Sequence, residues 1–192
     1  TLTSFLNEDY YALFPLYNFY FTRDAAVTIG DNALICKMAN KVRMRESLIM
    51  EAIYKGSGEF ECGIINAYDH QPGNTNLYME GGDILTARED TLLIGNGLRT
   101  STQGLDMLAS RLGALAPEGR RHIIVQQLPH SPESFIHLDM VFTLLDRDKC
   151  MVFEPLILGD NQYQTVHITM ENGKVVKINS VSNILSVLRR LG

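Results

Sequence analysis

The residues with the most chemistry lie in "PHSPESFIHLDMVFTLLD" (residues 129–146). His137 and Asp139 are two apart, so on an extended strand both side chains point to the same face. A proton-transfer group and a fixed negative charge then share the entrance of an apolar run from Met140 to Leu145. Taken alone, an H-x-D is more often a solvated loop or a turn anchor. A second stretch, "EGGD" (80–83), sets Glu80 and Asp83 on either side of two glycines. Alone it reads as a glycine turn, with Gly81 and Gly82 supplying backbone freedom.

The elements that must position these residues repeat along the chain. "RDAAVTIGDNALIC" (23–36), "GDILTAREDTLLIG" (82–95) and "LDMVFTLLDRDKCMVF" (138–153) share one pattern. Each has a leading Asp, an apolar run, a turn rich in Asp, Asn, Gly or Lys, and a second apolar run, which is a hairpin signature. The leading aspartates are Asp24, Asp83 and Asp139, spaced by 59 and 56 residues. After the first two hairpins come helical patterns. One is residues 40–54, with Val42, Leu48, Ile49, Ala52 and Ile53. The other is residues 101–113, with Leu105, Leu108, Ala109 and Leu112 behind a Ser101 or Thr102 cap. Each leads to another apolar run, "CGIINAY" (62–68) and "HIIVQQL" (122–128). The unit is strand, strand, helix, strand, and a fixed period of this size marks repeated supersecondary units. The repeats run roughly over 18–70, 76–128 and 135–192. The third also holds a hairpin with Asn172-Gly173 at its turn and a closing amphipathic helix. Pseudo-symmetry would bring the three aspartates around one cavity. The alternative is that they are Asx-type turn residues.

Bulk properties narrow the classes. The 192 residues are 45% hydrophobic and 20% charged, ordinary for a single globular domain. A net charge of −5 argues against a nucleic-acid footprint. No stretch reaches the roughly 18 apolar residues of a membrane helix. Cys36, Cys62 and Cys150 are odd in number and widely spaced, which favours a reducing cytoplasm over a disulfide framework. His70, His122, His130, His137 and His167 form no H-x-x-x-H, so no structural metal site is expected. The chain starts at Thr1 without Met and stops before a strand that would finish its third unit; the expectation is a piece of a longer protein.

Four motifs, "NFYFTRDA" (18–25), "YMEGGDIL" (78–85), "GNGLRTSTQG" (95–104) and "HLDMVFTLLDRD" (137–148), with "VRMRE" (42–46) between the first two, resemble the arginine deiminases. Their wider group is the guanidino-modifying enzymes with the pentein fold, a five-bladed β/α-propeller. The resemblance implies an α+β fold class, a single catalytic domain over 1–192, here a partial pentein-type β/α-propeller of about three ββαβ repeats. It implies hydrolysis of L-arginine to L-citrulline and ammonia through a Cys-linked amidino intermediate, without a cofactor or metal. Other members modify agmatine or methylarginine, transfer amidino groups, or bind guanidines without catalysis, and these are the alternatives.

The resemblance also implies roles. Asp24 and Asp139 hold the guanidinium nitrogens, and His137 and Glu80 manage protons. Asn18, Phe21 and Asp83 match substrate-pocket positions, and Arg43 and Arg99 match arginines that bind the substrate's carboxylate. The chemistry is consistent: a guanidinium is a planar fork of donors suited to carboxylates, ammonia leaves only when protonated, and arginines suit a carboxylate. For Arg43, which lies among Lys41 and Arg45, the alternative is a solvated helix face. For Asn18 and Phe21 it is strand packing, and the other four histidines match no motif. The family's nucleophilic Cys lies well beyond "HLD"; Cys36, Cys62 and Cys150 read as core cysteines. The expectation is an incomplete catalytic domain, inactive alone, that self-associates through open strand edges.

Overall fold

The structure, a computed structural model, describes residues 15–69 and 76–192. α1 (Thr22–Ala25) is one turn leading into β1 (Ala26–Ile29). β1 pairs antiparallel with β2 (Asn32–Ile35) across a turn where Gly30 takes φ +56°, a conformation that favours a residue without Cβ. A 3-10 turn (Lys41–Arg43) opens α2 (Met44–Gly56), and β3 (Gly63–Asn66) returns parallel to β2. The second unit repeats the plan. A 3-10 turn (Gly81–Asp83) precedes β4 (Ile84–Arg88), which pairs antiparallel with β5 (Thr91–Asn96). α3 (Thr102–Leu115) then crosses to β6 (Arg120–Gln127), parallel to β5. In both units a helix makes the crossover that parallel strands require.

The third segment divides between two sheets. A 3-10 turn (Leu138–Met140) leads into β7 (Phe142–Asp146), which pairs with β8 (Lys149–Val152) in a two-stranded sheet, followed by the one-turn α4 (Glu154–Ile157). The hairpin of β9 (Thr165–Glu171) and β10 (Lys174–Val181) joins the second unit instead. β9 pairs antiparallel with β6, giving a five-stranded order β10-β9-β6-β5-β4. Its turn has positive φ at both Asn172 and Gly173, as a two-residue hairpin loop demands. α5 (Ile184–Leu191) closes the chain, capped by the Asn183 side chain accepting from Ser186 N–H at 2.8 Å.

The second sheet is the middle layer. Ile84, Leu92, Ile94, Ile123 and Val125 pack with Val27, Leu34 and Ile65 of the first unit. Leu85, Leu93 and Ile124 face the other way, onto Phe142, Leu156, Ile184 and Val187. Burial on both faces explains why β5 and β6 read as unbroken apolar runs. Each such side chain contributes about 1.5–3 kcal/mol on full burial.

α3 follows the expected pattern. Leu108, Ala109 and Leu112 are buried, and the Ser101 hydroxyl accepts from Gly104 N–H at 3.1 Å. α2 departs from it. Val42, Leu48 and Ile53 are exposed, while Arg43, Glu46 and Ser47 are buried. The charged face turns inward because it meets charged partners, described below.

His122 and His167 lie buried on β6 and β9 with ring nitrogens 2.9 Å apart, and His130 is exposed. Arg190 on α5 reaches His167 Nδ1 at 3.3 Å. A guanidinium only donates, so His167 Nδ1 accepts, and its Nε2–H donates to His122 Nδ1. His70 lies outside the described residues. No helix among them is long and apolar enough to cross a membrane.

Candidate active site

Each leading aspartate sits in the single helical turn just before the first strand of its unit: Asp24 in α1, Asp83 in Gly81–Asp83, Asp139 in Leu138–Met140. α1 packs on the Gly81–Asp83 turn, which packs on the Leu138–Met140 turn. This corrects the expected strand placement of His137 and Asp139. His137 is an extended residue at the head of a 3-10 turn and Asp139 lies inside it, with β7 starting only at Phe142. A three-residue turn has no periodicity by which a sequence could announce it.

His137 is buried, and its Nε2 lies 3.0 Å from Glu80 Oε2 while its Nδ1 lies 3.7 Å from Asp24 Oδ1. Gly82 allows this approach, since a Cβ there would fall 2.7 Å from His137 Nδ1 and 2.9 Å from Asp24 Oδ1. Gly81 likewise leaves room for the carbonyl of Arg23, 1.9 Å from where its Cβ would stand. Both glycines have ordinary negative φ. They serve close packing here, not the backbone freedom expected of a glycine turn.

Glu80 is fully buried; its Oε1 accepts from Ala39 N–H at 3.1 Å and lies 3.5 Å from Arg99 Nη1. Burial opposes charge on both members of the Glu80–His137 pair. Their mutual hydrogen bond and attraction win, so Glu80 is held below the usual carboxylate range and His137 above the usual imidazole range. Both shifts favour the charged forms, a carboxylate facing an imidazolium.

Arg43 is buried to 5% exposure and lies across the cluster. Its Nη1 donates to Asp24 Oδ2 at 2.7 Å and lies 3.7 Å from Glu80 Oε2. Its Nε and Nη2 donate to Glu46 Oε2 at 2.9 and 2.8 Å, and Nη2 reaches the carbonyl of Asn18 at 3.3 Å. The solvated-face alternative for Arg43 is thus set aside. Asp24, Glu80 and His137 offer donor atoms within 4.8 Å of one another, close enough for a metal ion. The Arg43 guanidinium already supplies positive charge at that place, so a metal would first have to displace it.

Asp83 is fully buried and bonded internally to Thr100 Oγ1 and Leu138 N–H. Burial pushes its carboxyl up to about 7, against the opposing pull of His137, Thr100 and Leu138. Asp139 is half-buried beside the cluster; burial raises its carboxyl above the usual range, partly offset by His137. Arg99 is partly exposed. Asn18 meets the group through its backbone carbonyl, and Phe21 is exposed, its ring tilted against that of Tyr20 with centroids 4.2 Å apart. Sequence reasoning missed Glu46 and Thr100. Glu46 stood three residues after Arg43 in "VRMRE", the spacing of a helical ion pair. Thr100 carried no signal beyond adjacency to Arg99.

Cys36, just past β2, lies close enough to feel the charges of Glu80, Asp24 and Asp83. Burial first, and those carboxylates next, push its thiol well above the ordinary value, so it is not a thiolate.

Two ββαβ units and the opening hairpin of a third form part of a pentein-type β/α-propeller fold. Solved structures agree. The N-terminal domain of ArgZ, a cyanobacterial arginine dihydrolase bound to substrate, matches with TM-score 0.55 and 24% identity, covering 71% of this chain and 44% of that one. DDAH from Pseudomonas aeruginosa, complexed with citrulline, matches with TM-score 0.54 and 19% identity, covering 71% and 47%. The chain belongs to the arginine deiminase family, whose model matches residues 3–191. The arginine deiminase of Bacillus cereus is 33% identical over 191 residues, covering 97% of this chain and 45% of that protein. That of Levilactobacillus brevis is 34% identical over 191 residues, covering 98% and 45%. The chain thus spans somewhat less than half the length of these relatives.

Proposed function

We propose that this chain carries the guanidinium-binding residues of an arginine deiminase-type hydrolase, converting L-arginine and water to L-citrulline and ammonia. One observation carries the reading: Asp24 and Glu80 already face a guanidinium, that of Arg43, with His137 beside it. Substrate guanidinium takes that place between Asp24, Asp139 and Glu80. Arg43, still on Glu46, turns with Arg99 toward the substrate's carboxylate.

A cysteine thiolate adds to the guanidinium carbon. His137 gives a proton to the departing nitrogen, and ammonia leaves an S-linked amidino intermediate. Water then adds to the same carbon, His137 takes a proton from it, and the C–S bond breaks to release citrulline and thiolate. Glu80 holds the imidazole by its 3.0 Å bond throughout. Neither Cys36, Cys62 nor Cys150 is assigned as the nucleophile: Cys36 is a buried thiol, Cys62 precedes β3, and Cys150 lies in β8. The thiolate comes from elsewhere in the full-length gene product, and the chain alone does not turn over. Three free cysteines fit a reducing cytoplasm, and light scattering checks the expected self-association.

A substrate panel on the full-length gene product tests the reading. L-Arginine should yield citrulline. Agmatine, lacking the carboxylate, should be poorer in kcat/KM by at least about tenfold, the worth of one charge-assisted hydrogen bond. Equal or better turnover of agmatine would reject the role given to Arg43 and Arg99.

A further inference from the structure

Asp83 has no exposed surface. Its Oδ1 accepts the backbone N–H of Leu138 at 2.9 Å, and its Oδ2 accepts the hydroxyl of Thr100 at 2.7 Å. Thr100 is fully buried as well, and its Oγ1 accepts the backbone N–H of Glu80 at 3.3 Å. Gly95 makes room for the arrangement, because a Cβ there would lie 2.2 Å from Asp83 Oδ1.

Each arm ends on a segment that carries site chemistry. The Leu138 N–H belongs to the peptide immediately after His137, so this bond fixes the direction in which the imidazole leaves the backbone. The Thr100 arm ends beside Arg99 and on the backbone of Glu80. One carboxylate therefore ties together the segments that present His137, Glu80 and Arg99. Both of its oxygens have strong internal donors, and no surface faces a ligand.

Resting on the hydrolase reading, we infer that Asp83 is a positioning residue and not a substrate ligand: by bridging Thr100 and the Leu138 N–H it holds the His137 imidazole on Glu80. When ionised, above about 7, its charge also favours the imidazolium of His137. Positioning of this kind acts on the rate, since a misplacement of about 1 Å costs on the order of 10²-fold. Ground-state affinity for substrate changes little.

The test uses the full-length gene product with Thr100→Val, Thr100→Ser and Asp83→Asn. Thr100→Val leaves Asp83 Oδ2 unpaired and should lower kcat by roughly 10–100-fold, with KM for L-arginine within about threefold. Thr100→Ser restores the hydroxyl and should recover kcat to within about threefold. Carbon-13 labelling of the histidine rings, with His137→Gln for assignment, should show the His137 titration moved to lower pH in Asp83→Asn and in Thr100→Val but not in Thr100→Ser. A rise in KM of about tenfold or more with kcat intact would make Asp83 a substrate ligand and overturn the inference. So would a His137 titration unmoved in folded Asp83→Asn. If Asp83→Asn fails to fold, the valine and serine pair decides alone. If the wild-type protein makes no citrulline, the hydrolase reading fails, and the His137 titration still tests the positioning.

Discussion

Replacing Arg43 with alanine leaves the carboxylates of Asp24, Glu46 and Glu80 around an empty space. The side chains concerned are nearly dry, at 6% exposure for Arg43, 11% for Asp24, 2% for Glu46 and 0% for Glu80. Removing one partner from a buried ion pair costs about 3–5 kcal/mol, because the remaining charge stays unpaired. For a chain of this size each kcal/mol moves Tm by about 2–4 °C, so the variant should melt roughly 6–20 °C below wild type. A small guanidinium ligand should refill the gap. At about 100 times its Kd a ligand returns about 2.7 kcal/mol, and methylguanidinium has the fork of donors that Arg43 lost. The assay is a thermal scan of Arg43→Ala with millimolar methylguanidinium chloride against equal sodium chloride. The variant should recover several degrees and the wild type should barely move. Loss of less than about 1 kcal/mol on substitution, or recovery no greater with methylguanidinium than with sodium, would refute the reasoning.

Further outcomes follow from the same geometry. His137, raised above its ordinary 6.5, contributes stability that is complete below that value and is lost as pH rises through its folded value. Glu80, lowered from 4.5, contributes stability present above that value and lost as pH falls through its folded value. Unfolding titrations should therefore show a Glu80–His137 contribution between these limits, and His137→Gln should lose its alkaline limb. Gly82→Ala drives a methyl between His137 and Asp24; it should cost about 1–3 kcal/mol as overpacking and abolish citrulline formation in the full-length gene product. Ser101→Ala removes the α3 cap, and denaturant unfolding should show a loss of about 1 kcal/mol with KM for L-arginine unchanged.

The motif order and the hairpins were legible because each hairpin repeats a leading Asp before alternating or continuous apolar residues. Ser101 and the Asn172-Gly173 turn were legible because capping and positive φ demand particular residue types. What escaped was set by distant partners. Apolar spacing in residues 40–54 pointed to Val42, Leu48 and Ile53, yet Arg43 turns inward because Asp24 and Glu80 wait there, and Glu46 turns in with it as its ion-pair partner. The β9–β10 hairpin looked like part of the third unit, and only the open side of β6 decides that it extends the second. Gly81, Gly82 and Gly95 could not reveal from sequence that their missing side chains make room for Arg23, His137 and Asp83.

The central claim is that Asp24 and His137 serve a substrate guanidinium. Its most direct measurement is citrulline and ammonia release from L-arginine by the full-length gene product, comparing wild type with Asp24→Asn and His137→Gln. Wild type should release the two products in equal amounts, and each folded variant should be slower by on the order of 10² or more. No product from folded wild-type protein, or undiminished turnover in both variants, would contradict the account.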